Sequence, residues 1–294
     1  MPLLPTTLLD NPYIRLMRLE RPVGSLLLLW PTLAALWMAA EGLPEWHLIV
    51  IFTVGTLVMR SAGCVINDYA DRHIDGDVER TRNRPLVTGA VTPQQALLLF
   101  AGLVALAGLL VLFLSWTTLL VAAGGLLIAA LYPFTKRWTH LPQTVLGAAF
   151  SWGILLAWVE TTGAISQEAG LFFAASMVWI VAYDTMYAMV DREDDLRIGV
   201  KSTAVLFGEL DRLMIALLQT IVVVALLLLG QRLAYHSFYF IGVCACAGLF
   251  IYQQYLIRKR QPEGCFKAFT NNTWAGFALF CGTVAELTWQ ALGS

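Results

Sequence analysis

Charged residues are scarce in this sequence. Asp, Glu, Lys and Arg make up 13% of its 294 residues, whereas a typical soluble domain has about 25%. Hydrophobic residues make up 58%, and the mean hydropathy is +0.69. This composition excludes an ordinary soluble domain and predicts an integral membrane protein. The net charge of −1 gives no reason to expect a nucleic-acid partner.

Cysteine is also scarce, and its spacing excludes two common uses. The five cysteines include no C-x-x-C pair, so neither a disulfide framework nor a cysteine-bound zinc ion is expected. The first residues, MPLLPTTLLDNPYIRLMRLE, resemble neither a cleavable signal nor an Arg/Ser-rich transit peptide. We therefore expect no cleavage and a bacterial rather than an organellar protein.

Long apolar runs dominate the rest of the chain, and a run of about 20 such residues is enough to cross a membrane as a helix. We predict an all-α, polytopic membrane protein whose residues 1–294 form a single domain with nine transmembrane helices. The predicted helices are 23–40, 47–67, 91–113, 117–135, 140–159, 169–190, 213–231, 233–257 and 268–288.

Basic residues lie almost entirely on one side of these helices. Of the 19 Lys and Arg residues, all but Arg60 and Arg232 fall before the first helix or in loops on the same side as the N-terminus. Since cytoplasmic loops are enriched in Lys and Arg, the pattern predicts a cytoplasmic N-terminus and a periplasmic C-terminus in the bacterial inner membrane.

Two acidic segments follow the second and sixth predicted helices, both on the basic side. The first lies within NDYADRHIDGDVERTRNRPLVTG, residues 67–89, and the second is DREDD, residues 191–195. DRHID at 71–75 and DREDD share the pattern D-R-x-x-D at a distance of four helices. The matching position favours duplication of a four-helix unit over coincidence.

The aspartates within each segment are spaced by four residues. If the helices continue beyond the membrane surface, Asp71 and Asp75 share one helix face, as do Asp191 and Asp195. Like charges at this spacing repel each other, so a positive group should compensate. Neighbouring arginines on a solvated surface are one candidate. The alternative is a divalent cation shared by both segments, and Mg²⁺ binds a few carboxylates together with substrate phosphates.

At these residues the sequence resembles the UbiA-type intramembrane prenyltransferases. Their motif N-D-x-x-D-x-x-x-D is matched at 67–75, the motif R-T-x-x-R-P-L at 80–86, and a second aspartate motif by Asp191 and Asp195. The stretches RSAGCVINDYAD (60–71) and YDTMYAMVDREDDLRIGVKSTAVLFG (183–208) are similar to the 4-hydroxybenzoate polyprenyltransferases of ubiquinone biosynthesis.

The resemblance implies helices around a central cavity, with Asp-rich loops at its cytoplasmic end. It also implies Mg²⁺ as cofactor and transfer of a polyprenyl chain from polyprenyl diphosphate to the ring carbon ortho to the hydroxyl of 4-hydroxybenzoate. The lipid bilayer is the expected surrounding, and no obligate protein partner is expected. One alternative is a related prenyltransferase with another aromatic or haem acceptor. A secondary transporter is the alternative of a different class, although transporter sites usually lie near the membrane midplane.

The resemblance and the charge pattern together give a set of candidate site residues. The predicted catalytic aspartates are Asp71, Asp75, Asp191 and Asp195, and Asn67 joins them as a metal ligand. Asp68 and Asp194 are candidates for orienting these groups. The candidates for diphosphate binding are Arg72, Lys136, Arg192, Arg197 and Lys201, and pairing with nearby aspartates is the alternative for the arginines.

Three residues are candidates for binding the aromatic acid. The planar guanidinium of Arg137 matches a carboxylate better than an ammonium does, and Tyr132 and Tyr187 are placed to line a ring pocket. Arg60 lies within a predicted helix, where charged groups face a partner or a cavity. A carboxylate partner that braces the bundle is the conservative interpretation of Arg60, and a functional role is the other.

Overall fold

The computed structural model describes residues 10–135, 139, 141–199 and 201–293. Helix is the only regular secondary structure within these residues, which confirms the all-α prediction. Nine of the described helices have 17 residues or more, and each overlaps one of the nine predicted runs. They are α2 Val23–Ala39, α3 Trp46–Asp71, α4 Pro93–Val111, α5 Trp116–Thr135, α6 Pro142–Thr162, α7 Gln167–Ala188, α10 Asp211–Arg232, α11 Ser237–Leu256 and α12 Pro262–Gly293.

Three short helices lie between the long ones. They are α1 Pro12–Leu16, α8 Arg192–Ile198 and α9 Thr203–Phe207. Single 3₁₀ turns follow α3, α9 and α11, at Asp75–Asp77, Gly208–Leu210 and Ile257–Lys259.

Six helical stretches are long and apolar enough to cross a membrane. They comprise α3, α4, α6, α7, the stretch Thr203–Arg232 that contains α10, and the stretch Ser237–Lys259 that contains α11. Val23–Ala39 and Trp116–Tyr132 are apolar but shorter. Leucines on the outer surface, including Leu98 and Leu127, are exposed, as contact with lipid requires. The chain is therefore a multi-pass membrane protein.

Local sequence sets where several helices begin and end. Thr92 and Gln95 form a capping box at the start of α4, where Pro93 occupies the first turn, a position that suits proline because its missing N–H would have no helical partner. Ser166 caps α7 in a similar way by accepting a hydrogen bond from the Ala169 amide. At the end of α6, Gly163 adopts φ of 79°, a left-handed conformation that glycine adopts without a steric penalty.

The helices form a closed bundle in which α7 is the most buried of the six candidate spans. Helix α7 packs against α6, α10 and α12, and α2 packs against α3, α6 and α12. The largest hydrophobic core lies among these helices and includes Phe172, Trp179 and Tyr239. Helix α4 packs on the outer side of α3.

Side-chain amides connect the last three long helices. Gln219 of α10 donates to Gln253 of α11 at 2.8 Å, and Gln253 donates to Asn271 of α12 at 3.0 Å. Trp179 of α7 donates to Asn272 of α12 at 2.8 Å. Hydrogen bonds of this kind stabilise helix association inside a membrane, so they hold α12 against α7.

The bundle has two chemically different ends. We call residues 67–89 and 191–212, together with α1, the aspartate end. Residues 112–118, 160–168, 232–238 and 286–293 lie at the other termini of the same long helices, and we call them the opposite end.

Candidate functional site

The two predicted aspartate segments contact each other directly. The Arg80 Nε donates to Asp191 Oδ1 at 2.9 Å, across 111 residues of sequence. The Arg197 Nη2 donates to the carbonyl of Asp77 at 2.8 Å, and the Glu79 amide donates to Asp194 Oδ2 at 3.3 Å. The ends of α3 and α7 thus converge on one place.

The condition for a shared helix face, that each predicted helix continues through both aspartates of its segment, is not met. Helix α3 ends at Asp71, and Asp75 lies in a separate 3₁₀ turn. Likewise α7 ends at Ala188, Asp191 precedes α8, and Asp195 lies within α8. Asp191 and Asp195 remain one turn apart at the start of α8, where the Asp195 amide donates to the Asp191 carbonyl at 2.9 Å. In the first segment, ending α3 at Asp71 separates Asp71 from Asp75, so their carboxylates are not stacked on one helix face. Each break also lets the chain after it turn towards the other segment.

Buried arginine–aspartate pairs organise the first segment. Asp68 is 2% exposed and Asp75 is 6% exposed. The Arg84 Nη1 lies 3.0 Å from Asp68 Oδ1 and 2.6 Å from Asp75 Oδ2. Burial raises the pKa of Asp75, and the positive charge of Arg84 opposes this shift. A buried carboxylate of this kind favours a nearby cation.

Burial would lower the pKa of Arg84, but Asp68 and Asp75 outweigh that effect and raise it. The guanidinium therefore stays charged. The turn that carries Asp75 is also fixed, since the Thr81 hydroxyl donates to the Asp75 carbonyl at 2.7 Å.

Arg80 connects the second segment to an aromatic side chain. Its Nη1 donates to the Tyr187 hydroxyl at 2.6 Å, and its guanidinium carbon lies 4.6 Å from the centre of that ring. Burial would lower the pKa of Arg80, but Tyr187 and the Asp191 carboxylate raise it overall. One guanidinium thus holds an aspartate from the second motif and a tyrosine from the preceding helix.

A cavity of about 1020 Å³ opens beneath these pairs. Among the predicted site residues, its wall includes Asn67, Asp68, Asp191, Asp195, Lys201, Tyr132 and Tyr187. Asp71 and Asp75 are not among the described residues of the wall, although Arg84, which holds Asp75, is one of them. Apolar and aromatic residues such as Leu27, Phe150 and Phe269 line the cavity further along. The cavity therefore has charged residues at its mouth and apolar residues in its interior.

The oxygen donors at the mouth fit a hard divalent cation. Within the part of the chain that the structure describes, no three carboxylate, His or Cys side chains form a ready-made metal cluster. Asn67 Oδ1 is buried on the cavity side and accepts no hydrogen bond, so it offers an acceptor oxygen. Mg²⁺ commonly binds one or two carboxylates and completes its shell with water and substrate phosphate. Asn67, Asp191 and Asp195 on one wall fit that mode of binding.

The structure separates the predicted diphosphate residues into two groups. Lys201 lies on the cavity wall. Arg72 instead donates to the Tyr69 carbonyl and covers the Tyr69 ring, and Arg197 binds Asp194. Pairing with a nearby aspartate, the alternative interpretation for the arginines, describes the contact of Arg197, whereas the described contacts of Arg72 are with Tyr69. Lys136 and Arg137 lie outside the described residues.

Arg192 also contacts acidic groups. It lies 3.4 Å from Glu209 and 3.5 Å from Asp211. Asp211 is fully buried and also pairs with Arg260 at 3.0 Å. Arg192 therefore connects the start of α8 with the 3₁₀ turn Gly208–Leu210 and with the first residue of α10.

Among the arginines on the cavity wall, Arg18, Arg80 and Arg84 pair with aspartates and were not predicted as site residues. Arg80 and Arg84 belong to the quoted R-T-x-x-R-P-L pattern, so the local sequence contains a signal for them. Arg18 lies on the same wall and binds Asp68. Because the two residues are 50 positions apart, local spacing contains no signal for their contact.

Arg60 lies on the cavity wall within α3. Its Nη1 lies 2.6 Å from Cys64 Sγ, and its guanidinium carbon lies 5.5 Å from the Phe150 ring centre. Its Nε is buried and has no hydrogen-bond partner. Its described contacts are therefore with Cys64 and Phe150, beside the cavity.

Comparison with known proteins identifies a family. The model described as the UbiA prenyltransferase family matches residues 28–280. A 4-hydroxybenzoate octaprenyltransferase from Marinobacter nauticus is 57% identical over 276 residues, with 94% of each chain covered. The protein of the same name from Pseudoalteromonas atlantica is 58% identical over 267 residues, covering 91% of this chain and 94% of the relative.

Solved structures show the same fold at low sequence identity. The apo structure of a UbiA homologue from Aeropyrum pernix superposes with a TM-score of 0.79 at 23% identity, covering 88% of this chain and 97% of that one. A UbiA homologue from Archaeoglobus fulgidus, described as bound to GPP and Mg²⁺, gives a TM-score of 0.68 at 19% identity and covers 93% of this chain and 99% of that one.

Proposed function

The chain belongs to the UbiA prenyltransferase family, and from this premise we propose its reaction. The protein is a 4-hydroxybenzoate polyprenyltransferase of ubiquinone biosynthesis. It transfers a polyprenyl chain from polyprenyl diphosphate to the ring carbon ortho to the hydroxyl of 4-hydroxybenzoate and releases diphosphate. The contact between Arg80 and Asp191 at the mouth of the cavity carries this proposal, since it joins the two aspartate segments.

The aspartate end is the proposed site for Mg²⁺ and the diphosphate. Asn67, Asp71, Asp75, Asp191 and Asp195 are the proposed metal-binding residues. When bound, Mg²⁺ stabilises the negative charge that develops on the departing diphosphate. Support comes from the convergence of the two segments, from the acceptor oxygen of Asn67, and from the relative described with GPP and Mg²⁺.

Arginine and lysine side chains at the mouth are the proposed partners of the diphosphate oxygens. Arg80, Arg84 and Lys201 line the cavity, and Lys136 remains a candidate from its sequence position. Guanidinium groups bind phosphate through paired, charge-assisted hydrogen bonds. Arg72, Arg192 and Arg197 do not belong to this set, because they are not among the described residues of the cavity wall and contact other protein groups. Asp68 and Asp194 orient arginines in this proposal.

The apolar part of the cavity protects the reacting chain. The allylic carbon–oxygen bond breaks, the ring carbon forms the new carbon–carbon bond, and the ring hydrogen leaves as a proton. An allylic cation is sensitive to water, and Tyr132, Phe150, Tyr183 and Phe269 on the cavity wall exclude bulk solvent. Their ring faces also stabilise positive charge.

Two arginines are candidates for binding the carboxylate of 4-hydroxybenzoate. Arg137 was predicted from its sequence position and lies outside the described residues. Arg60 is supported by its place on the cavity wall, its unpartnered Nε and the neighbouring Phe150 ring. Tyr132 and Tyr187, on the same wall, are proposed to contact the aromatic ring.

The bacterial inner membrane is the proposed location. The distribution of basic residues favours nine crossings, a cytoplasmic N-terminus and aspartate end, and a periplasmic C-terminus. We also propose that the chain is one domain built from duplicated four-helix units. The two motifs follow α3 and α7, which are four long helices apart.

A transfer assay tests the proposed reaction. Membranes containing the protein are incubated with Mg²⁺, a polyprenyl diphosphate and labelled 4-hydroxybenzoate, and we expect label in a lipid product that EDTA prevents. Label in another aromatic or haem acceptor, but not in 4-hydroxybenzoate, would move the protein to a related prenyltransferase. Vesicle uptake without any prenylated product would support the transporter alternative.

A further inference from the structure

The short N-terminal helix α1 is anchored on the aspartate end. Leu16 is fully buried and packs in a small hydrophobic cluster with Val65 of α3, Val91 and Ala96. This cluster is separate from the main core of the bundle. Because Leu16 fixes α1 against α3, the residue two positions later has a defined place beside the first aspartate motif.

Arg18 adopts a backbone conformation that is uncommon for a residue with a side chain. Its φ is 58°, in the left-handed region. The Arg18 amide and Nη1 both donate to the Arg15 carbonyl, at 3.1 and 3.0 Å. The turn directs the guanidinium towards the end of α3. There, Nη2 donates to both oxygens of Asp68, at 3.1 and 3.0 Å.

Asp68 is shared by two guanidinium groups. Arg18 and Arg84 both lie 3.0 Å from it, and Arg84 continues to Asp75 at 2.6 Å. The four side chains form a row of alternating charge from α1 to the 3₁₀ turn of the first motif. Because two arginines already occupy its oxygens, the buried Asp68 carboxylate suits a positioning role better than metal binding.

A second contact from α1 supports the same segment. The Arg15 Nη2 donates to the carbonyl of Asn83 at 2.9 Å, and Asn83 directly precedes Arg84. Helix α1 therefore contacts the Arg84 segment both through Asp68 and through the backbone.

We propose that Arg18 is a positioning residue for the diphosphate site. Through Asp68, it fixes the orientation of Arg84 and thereby the place of the Asp75 carboxylate. Helix α1 acts as a clamp on the first aspartate motif. This inference rests on the proposed function in one respect: the group that Arg84 and Asp75 receive is the magnesium-bound diphosphate of the prenyl substrate.

The test compares the full-length wild-type protein with Arg18→Gln and Arg18→Lys. Binding of inorganic pyrophosphate in the presence of Mg²⁺ is measured by calorimetry, and KM and kcat for the prenyl diphosphate are measured separately. We expect Arg18→Gln to weaken pyrophosphate binding and to raise KM about tenfold, as expected when one member of a charge network is lost. Arg18→Lys keeps the charge but not the paired geometry, so its effect should be intermediate.

Arg232→Gln is the matched control. Arg232 lies at the opposite end, where it contacts Gln167 and Glu168, so the same substitution there should leave pyrophosphate binding unchanged. Melting temperatures in detergent show whether each variant is folded. If Arg18→Gln lowers only the melting temperature or kcat while binding and KM stay at wild-type values, α1 has a purely structural role and the proposal is wrong.

A double-mutant cycle tests the route through Asp68. If Arg18 and Asp68 act as one unit, Arg18→Gln combined with Asp68→Asn should weaken pyrophosphate binding no more than the stronger single variant. If the fold-loss in pyrophosphate affinity of the double variant equals the product of the two single losses, Arg18 and Asp68 act independently and the clamp proposal is wrong.

The two proposals fail in different ways. If the wild-type protein prenylates 4-hydroxybenzoate and Arg18→Gln binds pyrophosphate normally, the clamp is wrong while the enzyme assignment stands. If the wild-type protein transfers no prenyl group but shows pyrophosphate binding that depends on Arg18, the clamp stands without the assigned reaction. If the wild-type protein shows no magnesium-dependent binding of pyrophosphate, the clamp proposal is wrong.

Discussion

The two ends of the bundle use carboxylates in opposite ways. At the opposite end, Glu286 is fully buried and accepts hydrogen bonds from the amides of His236, Phe238 and Tyr239 at the start of α11. Glu160 accepts from the Ser115 amide and the Thr118 hydroxyl at the start of α5. Both glutamates satisfy the free N–H groups of a helix and favour its positive pole.

At the aspartate end, carboxylates are paired with arginines beside a cavity. Asp68, Asp75 and Asp191 are held by Arg18, Arg84 and Arg80, and all three of these arginines line the cavity wall. A backbone amide at the start of a helix is fixed in place and keeps its carboxylate acceptor. A guanidinium is on a flexible side chain and can exchange its carboxylate partner for a phosphate. The comparison suggests that buried acids of the first kind stabilise the fold, and that those of the second kind prepare a binding site.

The largest effect should come from removing a carboxylate charge at the aspartate end. We expect Asp191→Asn, and likewise Asp71→Asn, to lower kcat by at least about 100-fold, the order seen when a main electrostatic contact of a reaction is lost. Folding should stay intact, because the side chain keeps its size. Turnover is measured with labelled 4-hydroxybenzoate, and a wild-type rate would remove that residue from the metal site.

The second-largest effect should be on the free energy of unfolding and not on turnover. Glu286→Ala leaves three amides at the start of α11 without their acceptor, so we expect a loss of about 2–3 kcal/mol in the free energy of unfolding. Turnover per folded molecule should remain at the wild-type value. The melting temperature in detergent checks the first part, and lost turnover at full stability would contradict the division between the two ends.

An intermediate effect, on KM for 4-hydroxybenzoate, should show whether Arg60 or Arg137 binds the aromatic carboxylate. Arg60→Gln or Arg137→Ala should raise KM for 4-hydroxybenzoate about tenfold if the replaced arginine binds the aromatic carboxylate. A tenfold change is the loss expected for one charged hydrogen bond. KM for the prenyl diphosphate should change little. An effect confined to the prenyl diphosphate would instead assign that arginine to the mouth of the cavity.

The smallest effect should come from Glu160→Gln. The carboxamide keeps an oxygen that accepts from Ser115 and Thr118, so we expect a loss below about 1 kcal/mol, comparable to a weakened helix cap. As an acid-to-amide change at the opposite end, it is the matched control for Asp191→Asn. A large drop in turnover would show that the ends are coupled.

Much of the helical architecture could be predicted from local sequence. The apolar runs located the long helices, and the predicted break near Ser115 lies between the end of α4 at Val111 and the start of α5 at Trp116. The predicted ends of the second and sixth helices, at residues 67 and 190, lie within a few residues of the observed ends at Asp71 and Ala188. Hydrophobic periodicity ends at the membrane surface, so beyond it only packing decides whether a helix continues.

The kind of candidate site could be predicted from the sequence, but the pairs of residues that contact each other in it could not. The spacing of the aspartates and the R-T-x-x-R-P-L pattern identified two segments that contact each other at the cavity. Arg72 and Arg192 were candidates for the diphosphate or for pairing with nearby aspartates, and the structure places them against the Tyr69 carbonyl and against Asp211. Charge shows that a cation is present, whereas its partner depends on residues distant in sequence.

The sequence by itself determined that this chain is a helical membrane protein with two acidic motifs, because hydrophobicity and motif spacing are local properties. Only the tertiary structure decided that Arg80 meets Asp191 and that Arg18 meets Asp68. It also decided that Glu160 and Glu286 cap helices while Asn67 faces a cavity. Ion pairs and caps depend on distances of a few ångströms between residues that lie 42 to 111 positions apart, and those distances are set by how the whole bundle packs.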